Sequence, residues 1–222
     1  MQIAILLFDG STALDAIGPY EALWRVEGYQ VEFVAPEVGL KRTRHGLGLQ
    51  AERSLDELPA PEVIVIPGGA GVEAQLDDPR VLSWIRQAHQ TTRWTTSVCT
   101  GALLLGAAGI LEGRRATTHW LSHARLADYG AEPVGARVVE DGKVMTAAGV
   151  SAGIDLGLTL VSRMAGARAA QAAQLSMEYD PEPPFGTGSP QRAPSELVAL
   201  VRARAAAGQR PAPDGGHGAV SR

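Results

Sequence analysis

The feature that most limits how this chain can fold is the regular exchange of two hydrophobic periods along it. Short strand-like runs, apolar throughout at Ile3 to Phe8 and Val63 to Ile66 and more mixed at Val31 to Ala35 and Trp94 to Val98, alternate with longer segments of helical spacing. A run that is apolar at every position can be buried on both faces, as a strand of a parallel sheet must be, and the segments between are long enough for crossover helices. The sequence therefore predicts an α/β, flavodoxin-like arrangement, with a mostly parallel central sheet sandwiched by helices. At 222 residues, 45% hydrophobic and 20% charged, the chain suits one domain. That domain is expected over residues 1–207, with a disordered tail of Gly, Pro, Ala and Arg over 208–222.

Local signals refine this layout. Ser11 to Trp24 has Leu14, Ile17 and Leu23 at helical spacing but contains Gly18-Pro19, which predicts a broken first helix. Leu40 to Leu55, with Gly46 and Gly48, reads as an exposed hairpin, and Asp141-Gly142 between Val138 to Glu140 and Lys143 to Ala147 as a second. Pro79 to Gln90 turns Val81, Trp84 and Ile85 inward, and Thr100 to Ala108 is a helix apolar enough that it has to be buried. Ser151 is expected to cap a helix running to Met164. Ala167 to Met177 and Pro194 to Ala207 read as helices, with a Pro- and Gly-rich loop between them.

Composition excludes some partners. A formal charge of -4 and a pI near 5.7 give no concentrated basic surface, so nucleic acid is not an expected ligand. No run of about 18 apolar residues marks a membrane span. The N-terminus Met-Gln-Ile-Ala-Ile has no basic region before its apolar stretch, so a cytoplasmic protein is expected. The single cysteine cannot form an internal disulfide, which suits a reducing compartment.

That cysteine sits where chemistry is expected. In an open parallel sheet, ligands collect at the carboxyl ends of the strands, and three loops end there: Asp9 to Pro19, Pro67 to Gly71, and Cys99-Thr100-Gly101. A cysteine at the start of a buried helix meets unpaired N–H groups and the positive end of the helix dipole, an arrangement expected to lower its pKa. Ser97-Val98-Cys99-Thr100-Gly101 also has the strand-turn-helix form of a nucleophile elbow. Against this stands the plainer reading, a buried packing cysteine. Asp15, flanked by Leu14, Ala16 and Ile17, is a carboxylate in apolar company, whose desolvation would favour the protonated form and suit a general acid/base. Of the five histidines, His45, His89 and His217 read as solvated. His119 follows the elbow helix and is open to a catalytic or a supporting role. His119 and His123 lie one helical turn apart, but no third ligand completes the pattern, so no metal is expected.

Together these segments resemble the DJ-1/PfpI superfamily: Pro67-Gly68-Gly69, Ser97 to Ala102, Ala116-Thr117-Thr118-His119-Trp120 and Ala148 to Asp155. The Asp15 segment ending Gly18-Pro19, with Gln174 to Tyr179, Pro183-Pro184-Phe185 and Gly188-Ser189-Pro190, resembles the isocyanide hydratases in particular. The resemblance implies a homodimer without a cofactor that hydrates a small-molecule isocyanide to an N-formamide. It implies Cys99 as nucleophile, Asp15 as acid/base and Thr100 as the neighbour that holds the site. Gly69 and Ala70 would offer backbone N–H groups, Ile17, Trp120 and Val150 an apolar pocket, and His119 and Gly18 support behind them. A rival resemblance is to the sensing half of AraC-type regulators, which append a DNA-binding domain of roughly 100 residues. A free-standing ligand or redox sensor is the alternative function.

Overall fold

The structure, a computed structural model, describes residues 1–208. The chain divides into two compact units, Met1–Tyr179 and a second beginning at Asp180. The first unit opens with β1 (Gln2–Leu6), α1 (Ala13–Trp24), β2 (Gln30–Ala35), the hairpin β3 (Gly39–Arg42) and β4 (Gly48–Ala51), β5 (Arg53–Ser54) and β6 (Val63–Ile66). It continues with α2 (Val72–Gln75), α3 (Pro79–Thr91), β7 (Trp94–Val98), α4 (Gly101–Ala107) and β8 (Arg115–Ala116). A 3-10 helix (Trp120–Tyr129), β9 (Glu132–Pro133), β10 (Val138–Asp141), β11 (Val144–Ala147), α5 (Ala152–Ala165) and α6 (Ala167–Ser176) complete it. The second unit holds α7 (Ser195–Ala206) after a stretch without helix or strand.

The main sheet has seven strands in the order β10-β11-β7-β6-β1-β2-β5, all parallel except β10 against β11. The apolar runs explain its centre. Successive side chains of a strand point to opposite faces, so Leu6, Phe8, Ile64 and Ile66 pack with Trp84 and Ile85 of α3 and Leu103, Leu104 and Leu105 of α4. Ile3, Ile5, Val63 and Val65 turn the other way, onto Ala16 and Leu23 of α1 and Leu156 and Leu160 of α5. With helices on both faces, β6 is apolar throughout as Val63-Ile64-Val65-Ile66, whereas the neighbouring β7 buries Thr95, Thr96 and Ser97.

Three expectations need correction. The first helix is not broken: α1 runs continuously through Pro19. Proline removes one backbone donor and crowds the preceding turn, but α5 lies close against this point. A side chain at Gly153 would come within 3.1 Å of Pro19, and one at Gly18 within 3.2 Å of Ile154. The lost hydrogen bond is offset by close helix-on-helix packing. Ser151 occupies the capping position of α5 but makes no side-chain cap; its Oγ accepts instead from Arg137 Nη2 at 3.3 Å. His89 is half-buried rather than solvated, its Nδ1 2.8 Å from Thr95 Oγ1. The short strands β5, β8 and β9 and the 3-10 helix carry no strong period and were not expected. His217 and the predicted tail beyond Gly208 lie outside the described residues. Among the described residues no helix is long and apolar enough to cross a membrane.

The α1–α5 contact depends on Gly157, where a Cβ would meet Ala22 Cβ at 2.8 Å and Pro19 Cα at 3.1 Å. Overpacking costs about 1–3 kcal/mol, more than the roughly 1 kcal/mol a helix gains on losing a glycine. Gly157→Val is therefore expected to lower stability, read as an earlier midpoint in urea unfolding.

Candidate active site

The elbow is built from backbone constraints. Cys99 joins β7 to α4 with φ 57°, a left-handed conformation uncommon outside glycine. Three contacts hold it there. Its N–H is shared between the carbonyls of Ala147 (3.1 Å) and Ala148 (3.0 Å), and its own carbonyl accepts from Thr118 Oγ1 at 2.6 Å. The strands bring β6 and its following loop so close that a side chain at Gly101 would lie 2.0 Å from the carbonyl oxygen of Ile66, and one at Gly68 2.4 Å from Thr100 N. Glycine is required at both positions because no other residue fits between the two loops.

Asp15, in the first turn of α1, is wholly buried. Its Oδ2 accepts from Gly68 N–H at 2.9 Å, while Oδ1 is buried without a hydrogen-bond partner of standard geometry among the described residues. The group next to the carboxyl is the Cys99 thiol, and each shifts the titration of the other. Burial raises the Asp15 pKa from 3.8 to about 7, against the opposing pull of the Gly68 N–H and of the thiol. Burial, and next the charge of Asp15, push the Cys99 thiol up to about 12, although the N–H groups of Thr100 and Val150 both point at the sulfur and favour the thiolate. The expected lowering by a helix start is thus reversed in the resting site: desolvation outweighs the donors of the short helix α4. Over the range between these two values the pair holds one proton, which belongs to the pair rather than to either member.

The other anticipated residues fall around this pair in different ways. Thr100 donates its N–H to Cys99, and its Oγ1 accepts from Gly69 N–H at 2.9 Å. The Gly69 donor is therefore committed to Thr100 and is not free for a developing charge, contrary to expectation. Ala70 is exposed in the same loop. Ile17, Trp120 and Val150 are half-buried, leaving apolar surface partly open, and Gly18 is buried against α5. Val150 is also strained, at φ 39°, a conformation that costs a β-branched residue about 1–3 kcal/mol.

His119 is held by backbone contacts on two sides. Its Nδ1 caps the 3-10 helix, accepting from Leu121 N–H at 3.3 Å, and its ring lies against Gly149, where a Cβ would meet it at 2.5 Å. Burial lowers its pKa, favouring the neutral imidazole. Gly68, Thr118 and Gly149 carry the site but were not singled out, because their roles lie in backbone contacts between segments far apart in sequence. Among the described residues, no group of three or more His, Cys, Asp or Glu side chains converges as a metal site would require.

Fold and site together define an α/β protein with an elbow cysteine and a buried carboxyl partner. The profile of the DJ-1/PfpI family matches residues 1–163, and the chain belongs to that family. It is 45% identical over 206 residues to an isonitrile hydratase of Pseudomonas putida, covering 93% of this chain and 90% of that one. A deglycase of Thermococcus kodakarensis is 28% identical over 144 residues, which cover 64% of this chain and 86% of the deglycase. The crystal structure of a ThiJ/PfpI family protein from Pseudomonas syringae superposes with a TM-score of 0.89 at 36% identity, covering 92% of this chain and 86% of that one.

The raised Asp15 pKa has a consequence for stability. The folded protein keeps this proton up to about 7, whereas the unfolded chain releases it near 3.8. The stabilising contribution is present in full below the lower value and is lost as pH rises through the higher. Relative to the unmodified protein, Asp15→Asn is thus expected to gain stability between about pH 4 and pH 8, by on the order of 3 kcal/mol. Denaturant unfolding at both pH values measures it, and an equal difference at the two would refute it.

Proposed function

We propose that this protein is an isocyanide hydratase, converting an isocyanide and water to an N-formamide through a covalent intermediate on Cys99. The observation that carries this reading is the buried pair of Asp15 and Cys99, a nucleophile and a proton carrier sharing one proton in a site shielded from water. The similarity to the Pseudomonas putida isonitrile hydratase, which extends over nearly the whole chain, supports the substrate class.

The chemistry follows from the pair. The terminal carbon of an isocyanide accepts a nucleophile and a proton in the same overall addition. Cys99 sulfur bonds to that carbon as its proton passes to Asp15, and Asp15 delivers the proton to the same carbon, leaving a thioimidate, Cys99–S–CH=N–R. The Asp15 carboxylate then takes a proton from water, whose oxygen adds to the thioimidate carbon, and passes that proton to the nitrogen. Collapse of that adduct breaks the carbon–sulfur bond, releases R–NH–CHO and returns the proton to the pair. No oxidant, metal or organic cofactor enters the balance. Thr100 and Val150 N–H groups stabilise negative charge on sulfur in the steps that place it there. The substituent R rests on the partly open apolar surface of Ile17, Trp120 and Val150.

The protein acts as a homodimer in the cytoplasm. Self-association is supported by the exposed Val38, Leu40 and Leu47 in and beside the β3–β4 hairpin, apolar surface that a second copy would cover. A reducing compartment is supported by the lone free thiol.

Loss of an aryl or alkyl isocyanide, with the formamide identified by mass spectrometry, tests the assignment. Cys99→Ala and Asp15→Asn are each expected to abolish turnover, and the unmodified protein mixed with substrate should show an adduct heavier by one isocyanide. Turnover surviving in Cys99→Ala would sink the thioimidate route. Activity also needs the pair to have lost one of its two protons. The kcat/KM is accordingly expected to climb as pH rises through about 7, where Asp15 titrates, and then to level off. A profile flat from about pH 5 to 9 would remove Asp15 from the role given to it.

A further inference from the structure

Among the described residues, three other than glycine have positive φ: Cys99 (57°), Val150 (39°) and Glu178 (50°). They lie far apart in sequence, yet hydrogen bonds connect them. Glu178 follows the end of α6, and its turn is closed by Tyr179 N–H donating to the Gln174 carbonyl at 3.1 Å and by Gln174 Nε2 donating to the Tyr179 carbonyl at 3.1 Å. Tyr179 Oη then lies 3.3 and 3.4 Å from the two carboxylate oxygens of Asp155, on the first turn of α5. Arg137, just before β10, grips the same turn with two arms. Its Nε donates to Asp155 Oδ2 at 2.5 Å and its Nη2 to Ser151 Oγ at 3.3 Å. The Arg137 carbonyl accepts from Ala148 N–H at 2.9 Å, and the Ala148 carbonyl accepts from Cys99 N–H at 3.0 Å. Between Ala148 and Ser151 stands Val150, whose N–H is directed at the Cys99 sulfur.

We propose that Tyr179, Asp155 and Arg137 are positioning residues for the reaction assigned above, forming a brace that keeps Val150 in its strained conformation with its N–H on the Cys99 sulfur. None of the three touches the thiol. A β-branched residue leaves the left-handed region unless its surroundings over-determine it. Here the segment is fixed at both ends, by Arg137 from the sheet and by Tyr179 through the first turn of α5. Loosening either end lets Val150 relax, and the sulfur loses one of the two N–H donors that oppose the raising of its pKa. Arg137 suits this place because its planar fork reaches two acceptors at once, which a lysine does not.

The proposal rests on the hydratase reading, but its test does not need turnover. Cys99 is the only cysteine in the chain, so its alkylation by iodoacetamide reports the thiolate fraction directly. In Tyr179→Phe, Asp155→Asn and Arg137→Ala, alkylation is expected to slow about threefold or more across about pH 6 to 9, with the inflection contributed by Asp15 left in place. The kcat for isocyanide should fall about tenfold in Asp155→Asn with KM little changed. Arg163→Ala is the control, since Arg163 pairs with Glu140 at 2.8 Å and ties α5 to β10 without contacting the Val150 segment; it should alkylate at the unmodified rate. Unchanged alkylation in the folded Tyr179→Phe and Asp155→Asn proteins overturns the proposal, as does equal slowing in Arg163→Ala. Slower alkylation in the three variants of a protein that hydrates no isocyanide would leave the brace standing and remove the hydratase reading.

Discussion

Everything distinctive in this structure depends on one proton held in a dry place between a carboxyl and a thiol. In water Asp15 would give its proton up three pH units earlier and Cys99 would hold its own far less firmly. Enclosure between α1, α4 and the Gly68 loop moves both upward. Over the range between the two raised pKa values the pair keeps one proton, and one negative charge, beside a polarisable sulfur. That is a costly arrangement: a carboxyl oxygen sits buried without a standard hydrogen bond, and the thiol is kept in its protonated form. A site that relies on burial to hold its proton has to be rigid, because any water admitted would return both groups to their ordinary behaviour.

Rigidity comes from the absence of side chains as much as from their presence. Gly68 and Gly101 let two loops meet at distances that no Cβ would allow, and Gly18, Gly153 and Gly157 do the same for the two helices behind them. These contacts place the first turn of α1, and so Asp15, against the end of β7. The sheet supplies the frame on which those approaches are measured. Its central strands are buried, β1 and β6 as apolar runs and β7 with Thr95, Thr96 and Ser97 enclosed, which fixes the height at which each strand ends and each loop begins.

Much of this was legible in the residues themselves. The fully apolar Val63 to Ile66 reads as a covered strand, and Cys99, between the strand Trp94 to Val98 and an apolar helix, reads as an elbow or as a packing cysteine. Asp15 stood out because a carboxylate among Leu14, Ala16 and Ile17 needs a reason to be there. What was not legible has a common cause: it depends on distances between segments remote in sequence. Proline at position 19 reads locally as a break, and only the glycines of α5, more than a hundred residues later, let the helix continue. The position of Cys99 reads locally as activating, and only the burial imposed by the assembled loops reverses the sign. Thr118 and Gly149 stand in segments that carry the family resemblance, but what they do there is not written locally: one holds a carbonyl and the other makes room for a histidine ring.

The β3–β4 hairpin looks like an ornament hung outside the main sheet, yet its backbone is laced to the loop after β1. Gly10 N–H donates to the Arg42 carbonyl at 2.7 Å, Arg44 N–H to the Ser11 carbonyl at 3.1 Å, and Asp9 Oδ1 accepts from Arg42 N–H at 2.7 Å. The same loop then clasps the glycine turn on its other side, through Thr12 N–H on the Gly68 carbonyl and Gly71 N–H on that of Gly10. Trimming the hairpin would therefore not be a neutral edit to the periphery. It would cut the mooring of the segment that leads into α1, and a change some distance from the sulfur would be felt as slack in the carboxyl beside it.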